Sequence, residues 1–288
     1  MRIANDQLQV EISPLGAELK SIGSTGGDQW LWHGDPKWWS GRAPLLFPVV
    51  GKSPDNAVSI EGRRFPMQPH GFVRHSSFAV AEAGRDRAVL TLEANAETRD
   101  SFPFDFRFAV TFVLAGNSLL TTVEITNRDS RDMPFGFGFH PAFSWPLPGG
   151  AGRRHYLKLA SADEPGFEQL NADGLIRPEM HPSPFRQGEM TLAHEQFDND
   201  ALLFAQGVGP GITFAAEGGS SVVLAWSNLP NFAVWQKPGA PYLCLEPWHG
   251  MSARLGAGDA MTARPSPTIL PPGQTARFEL RSTFNRGR

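Results

Sequence analysis

Apolar side chains recur at every second position in several stretches of this chain, and that period belongs to strands with one buried face. Leu8, Val10 and Ile12 alternate with polar neighbours, as do Phe106, Phe108, Val110 and Phe112 around Arg107 and Thr111. Leu119, Thr121, Val123 and Ile125 repeat the pattern, and so do Ala276, Phe278 and Leu280 against Arg277, Glu279 and Arg281. Phe106–Leu114 and Leu119–Ile125 flank Ala115-Gly116-Asn117, a spacing that predicts a β-hairpin. Ser221–Trp226 and Tyr242–Glu246 are more uniformly apolar, as expected of strands covered on both faces. No long amphipathic helix is predicted; Ala193–Leu203 has room for one short turn.

Turn residues are abundant, with 30 Gly and 25 Pro among 288 residues, yet 41% of the chain is hydrophobic and 21 residues are Phe. That content is too apolar for disorder and points to short strands in a sandwich or barrel. An all-β chain of this length reads as one domain, residues 1–288. Loops are expected at Gly23–Asp28, Pro146–Arg154, Ala162–Gly174 and Met180–Gly188. The net charge of −3 lacks the basic face that nucleic acid requires. A single cysteine, Cys244, rules out an internal disulfide. No apolar run approaches the ~20 residues of a membrane helix. No apolar run follows Met1–Asp6 as in a signal peptide, so a soluble cytoplasmic protein is expected.

Three segments set a titratable side chain beside Gly or Pro and aromatic rings: Gln68-Pro69-His70-Gly71-Phe72, Gly136-Phe137-Gly138-Phe139-His140-Pro141-Ala142-Phe143 and Cys244-Leu245-Glu246-Pro247-Trp248. His140 and Glu246 each end an apolar strand and precede a proline, which cannot donate to a sheet ladder. A carboxylate at the end of a buried strand is costly unless it is paired or functional. Burial also raises its pKa toward neutrality, which suits a base. His70 reads as a helper to the pair or as a plain turn histidine. Trp248 and Phe139 are candidates for an aromatic platform. Asp200 or Asp198 could accept hydrogen bonds from hydroxyl groups. Lys52, Arg74 and Arg42 are nearby cations that touch substrate oxygen or simply face solvent. Trp30, Trp32, Trp38 and Trp39 are expected to pack or to edge a cleft. None of the eight histidines shows the His-x-x-x-His spacing of a helical metal site, so no metal is expected. The Gly-x-Gly at Gly136–Gly138 holds aromatic residues and no helix follows it, so it is not a phosphate cradle.

In their order, these motifs resemble those of the aldose 1-epimerase (galactose mutarotase-like) family, in its bacterial branch. The matching series runs Leu46-Phe47-Pro48, His70-Gly71-Phe72, His140-Pro141-Ala142-Phe143 and Glu246-Pro247-Trp248, and the resemblance covers nearly the whole chain. It implies a large antiparallel β-sandwich, or supersandwich, and interconversion of the α and β anomers of an aldose without a cofactor. Glu246 would be the base and His140 the acid. His70 would steady charge, and Asp200, at the family's sugar-binding position, would orient the sugar. The implied partner is a small-molecule sugar, met by a monomer or a homodimer. The chain departs from the family pattern at Lys52, where relatives usually carry arginine, and at Ser252-Ala253-Arg254, where an acidic residue often stands. Three alternatives stay open: a hexose-6-phosphate epimerase, a non-catalytic sugar-binding protein, and a glycoside hydrolase using Glu246 with Asp200.

Overall fold

In a computed structural model of the protein, which describes residues 1–287, two antiparallel sheets carry most of the chain. The nine-stranded sheet runs in the order Glu189–Thr191, His155–Leu159, Gly211–Ala216, Ser221–Ser227, Thr275–Asn285, Ser118–Asn127, Phe106–Ala115, Arg87–Glu93 and Ala79–Ala83. The predicted hairpin forms its middle: Leu119 pairs with Leu114 and Ile125 with Phe108. The eight-stranded sheet runs Ile176–His181, Phe167–Leu170, Leu202–Phe204, Asn231–Trp235, Tyr242–His249, Phe137–Phe139 and Leu45–Leu46, with Ala142–Ser144 also paired to Tyr242–His249. Smaller sheets flank them, among them Arg2–Ala4, Leu8–Ile12 and Leu19–Ser24.

The sheets stack through aromatic residues. Phe278 and Phe108 of the nine-stranded sheet meet Phe137 of the other at 4.7 and 6.0 Å between ring centroids. Trp226 lies flat on Phe232 at 5.0 Å. Such contacts contribute about 0.5–1.5 kcal/mol each beyond their burial. Alternation decides what each face of the eight-stranded sheet carries. Leu243 and Leu245 point into the core between the sheets. Cys244 and Trp248, two residues apart from Glu246 in either direction, point to the opposite face. That outer face is covered as well, which is why Tyr242–His249 is buried almost throughout.

Three sequence expectations need correction. Ser221–Ser227 is not covered on both faces. Val223 is half-buried and Ala225 exposed while Val222, Leu224 and Trp226 are buried, so small apolar residues hid an ordinary alternation. The strand bearing Glu246 does not stop at Pro247 but runs on to His249. The loop expected at Ala162–Gly174 contains the strand Phe167–Leu170, which pairs with Ile176–His181 across a bulge. Among the described residues the α-helix is a single short one, Ala96–Ser101. Asn95 and Thr98 close a capping box at its start. Six residues are too few to show a helical period.

Candidate active site

His140 and Glu246 meet because two strands hold one register across a gap. Gly138 pairs with Trp248, and Ala142 pairs with Cys244. The same register carried through the intervening residues sets His140 across from Glu246. Pro141 and Pro247 both fall in that gap, and the Leu245 N–H donates to the Pro141 carbonyl across it at 3.2 Å. His140 Nε2 lies 3.1 Å from Glu246 Oε2. Both side chains are buried, Glu246 to 1% exposure and His140 to 7%. His140 Nδ1 and Glu246 Oε2 have no aligned hydrogen-bond partner, so the contact is close without being a finished hydrogen bond.

The pair opens into a chamber of about 330 Å³, toward the small end of the ~300–1,000 Å³ typical of small-molecule sites. Trp39 and Trp235 clasp the imidazole, with centroids 5.0 and 5.8 Å from it. His70 stands edge-on to His140 at 5.6 Å. Lys52, Arg74, Asp200 and Trp248 complete the predicted residues that line the chamber. Three candidates do not reach it, one of them Asp198, which is exposed and lines a neighbouring cavity. Phe139 turns into the core against Phe137, 5.0 Å between centroids, because it stands one position out of phase with Gly138 and His140. Arg42 donates instead to the Lys20 carbonyl at 2.6 Å. The Gly-x-Gly motif has a packing role: a Cβ on Gly138 would lie 2.3 Å from the Trp248 indole, so glycine makes the slot that the ring occupies.

His70 is held in a strained turn. The Gly71 N–H donates to the Gln68 carbonyl at 2.9 Å, and His70 has φ 65°. A left-handed backbone at a non-glycine residue costs about 1–3 kcal/mol and points to a functional constraint. The Gly51 N–H donates to His70 Nδ1 at 3.2 Å. The neutral ring therefore keeps its proton on Nε2, as a donor. Gly71, at φ 70°, crosses so near the chain that a Cβ would sit 2.1 Å from the Phe47 carbonyl oxygen. Gly71→Ala is expected to cost about 2–4 kcal/mol and to lower the melting temperature by roughly 5–15 °C. Circular dichroism melts check this, and a midpoint unchanged within ~2 °C would show that the turn relaxes freely.

Arg264 was not foreseen from the sequence, where nothing around it marks it. It is 9% exposed and donates to the carbonyls of Val50 and Met251 at 2.6 and 2.9 Å. Those bonds tie together the loops that carry Gly51, Lys52 and Ser252. Burial lowers its pKa to about 10, so it stays charged at neutral pH beneath the chamber.

The chamber's electrostatics follow from desolvation. Burial pushes the Glu246 carboxyl well above the usual carboxylate range, and the negative charge of Asp200 adds to this. Burial likewise pulls the His140 imidazolium well below its usual value, with a smaller push from Arg74. Burial pulls His70 down too, helped by His140 and Arg74. The His140–Glu246 pair is thus built to hold one proton between two neutral groups.

The structure also gathers ligand atoms that sequence spacing could not. His140, Cys244 and Glu246 each offer one, all within 4.8 Å of one another. Burial holds the Cys244 thiol well above its usual pKa, and hence protonated, whereas the thiolate is the form that binds metal.

The fold has counterparts. Protein LacX of Lactococcus lactis, in its plasmid form, is 27% identical, with 96% of each chain covered. A galactose mutarotase related enzyme from Lactobacillus acidophilus superposes with a TM-score of 0.94 at 26% identity, covering 100% of this chain and 97% of the other. A galactose mutarotase-like protein from Lactobacillus casei gives 0.92 at 27% identity, with 99% of each chain covered. With residues 1–283 matching the aldose 1-epimerase family, the chain belongs to that family.

Proposed function

We propose that the protein is an aldose 1-epimerase that interconverts the anomers of a free sugar, with Glu246 and His140 as the proton-transferring pair. One observation carries this reading: a buried carboxyl and an imidazole, 3.1 Å apart, at the wall of a sugar-sized chamber. In the tautomer that carries the pair's one proton on His140, the Glu246 carboxylate takes the proton from the anomeric hydroxyl while the His140 imidazolium protonates the ring oxygen. The C1–O5 bond breaks and a C1 carbonyl forms. C1–C2 then rotates, and closure on the other face returns both protons. The pair starts and ends each step with one proton, so the cycle needs no exchange with solvent. After ring opening both groups are neutral, the arrangement that burial favours. The neutral His70 donates from Nε2 to a sugar oxygen, and Asp200 at the rim accepts from hydroxyls. Acid and base terms of ~10²–10⁴-fold each suit a reaction that already proceeds slowly in water.

The immediate neighbour of Glu246 is an imidazole rather than a second carboxylate, which supports proton shuttling over glycoside hydrolysis. A second reading rests on Lys52 and Arg74, which line the chamber and pair with no carboxylate among the described residues. These cations would suit a sugar phosphate. Arg74 already spends one nitrogen on the Pro69 carbonyl at 2.9 Å, and it lacks the free fork of a phosphate clamp. The test compares kcat/KM for glucose and galactose with that for glucose 6-phosphate. A free aldose should win, and a phosphate ester preferred about tenfold, with the preference lost in Arg74→Ala, would replace this reading with the second.

The chemistry assigned to the pair uses protons alone. Dialysis against a chelator should therefore leave the rate unchanged. Loss of activity that a divalent ion restores would bring the group of His140, Cys244 and Glu246 into play as a metal centre.

A further inference from the structure

Arg264 is buried beneath the chamber, and every hydrogen bond it makes goes to a neutral acceptor. Nη2 donates to the carbonyls of Val50 and Met251 at 2.6 and 2.9 Å, and Nη1 to the Ser53 hydroxyl and the Lys52 carbonyl at 2.5 and 3.3 Å. A guanidinium taken out of water without a counter-charge is expensive, and joining two loops does not by itself call for a full charge.

One of these acceptors leads to His70. The Val50 carbonyl and the Gly51 N–H belong to a single peptide group. Its oxygen accepts from Arg264, and its N–H donates to His70 Nδ1 at 3.2 Å. A charged donor on the oxygen of an amide polarises it and strengthens the bond that its N–H makes. The Gly51 carbonyl in turn accepts from the His70 N–H at 2.8 Å, so one residue grips both the ring and its backbone. That residue has little room to shift. Gly51 stands at φ 68°, a Cβ there would run into the Ser252 hydroxyl, and that hydroxyl accepts from the Lys52 N–H at 3.0 Å. Burial, His140 and Arg74 oppose a second proton on His70, and the charge of Arg264 adds to them.

We propose that Arg264 is a positioning residue for the reaction: through the Val50–Gly51 peptide it fixes His70 in the tautomer that carries its proton on Nε2. The inference rests on the reading of His70 as the donor to a sugar oxygen. Arg264 does not line the chamber, so it acts on the sugar only through the groups it holds. Its planar fork reaches two acceptors from each terminal nitrogen, which the point charge of a lysine does not reproduce.

Nitrogen-15 NMR of histidine-labelled wild type reads the tautomer without turnover. His70 should be neutral with its proton on Nε2, and a proton on Nδ1 would overturn the proposal. In Arg264→Met the Nδ1 signal should move toward its protonated position. The same variant should lose about tenfold in kcat for glucose, with KM within about twofold, because the His70 bond matters most as charge develops. His70→Asn supplies the control. Asparagine tolerates the φ of 65° and is too short to reach the place of Nε2. In that background Arg264→Met should cost less than about twofold more. An equal loss in both backgrounds, or a His70 signal that Arg264→Met leaves in place, would overturn the proposal. If Arg264→Met fails to fold, Arg264→Lys carries the same cycle, with a smaller loss that His70→Asn again abolishes. Wild type that exchanges no anomers would strike at the epimerase reading, while the His70 signal would still decide the link to Arg264.

Discussion

Glu246→Gln is expected to lower kcat for anomer exchange by at least about 10²-fold while the protein keeps its fold. Glutamine keeps the size of the side chain and removes the only group placed to take the anomeric proton. The wild-type carboxyl is buried and pushed toward its neutral form, so the amide brings no new charge burial and should not destabilise the strand. The residual rate should depend on His140 alone and fall as pH rises and the imidazole loses its proton. Near-normal turnover in this variant would remove Glu246 from the mechanism and leave its burial beside His140 unexplained.

His140→Asn is the second large effect, with an expected loss of about 10²–10⁴-fold and a changed pH profile. In wild type the working pair holds one proton, so activity is lost when a second proton binds or when the last one leaves. The acidic limb reports the imidazole, whose pKa is depressed, so it lies below the ordinary histidine value of 6.5. The alkaline limb reports the carboxyl, whose pKa is raised, so it lies well above the ordinary value of 4.5. The result is a broad plateau flanked by two limbs. With asparagine in place, only the base remains, and the residual rate should rise with pH as Glu246 ionises. A full-rate variant with both limbs intact would place the acid elsewhere, and His70 would be the next candidate.

Much of this was legible in the chain because strands write their environment at every second residue. Alternation alone marks Phe106–Leu114 and Leu119–Ile125 as strands, and the short turn between them marks their pairing, which the structure has. His140 and Glu246 stood out for a local reason: each ends an apolar run and precedes proline. What sequence could not supply was the register. Residues more than 100 positions apart become neighbours through the pairs Gly138–Trp248 and Ala142–Cys244. The same limit explains Phe139. Its neighbours suggested a platform, but side-chain alternation turns it into the core while His140 faces the chamber. Trp39 and Arg264 are reached through loops, where no period exists to assign a face. Pro247 was read as the end of a strand on a sound rule. The rule gives way because Pro247 keeps its place in the sheet by pairing with Phe232 on its other side.

The proposed chemistry moves protons on and off a sugar's anomeric centre. Saturation-transfer NMR on a glucose or galactose solution at equilibrium measures that step alone, with no coupling enzyme. Exchange between the α and β anomeric resonances is expected to grow in proportion to added wild-type protein and to fall at least about 10²-fold toward the buffer value with Glu246→Gln. Exchange that wild type does not accelerate for any aldose, free, phosphorylated or glycosylated, would contradict it.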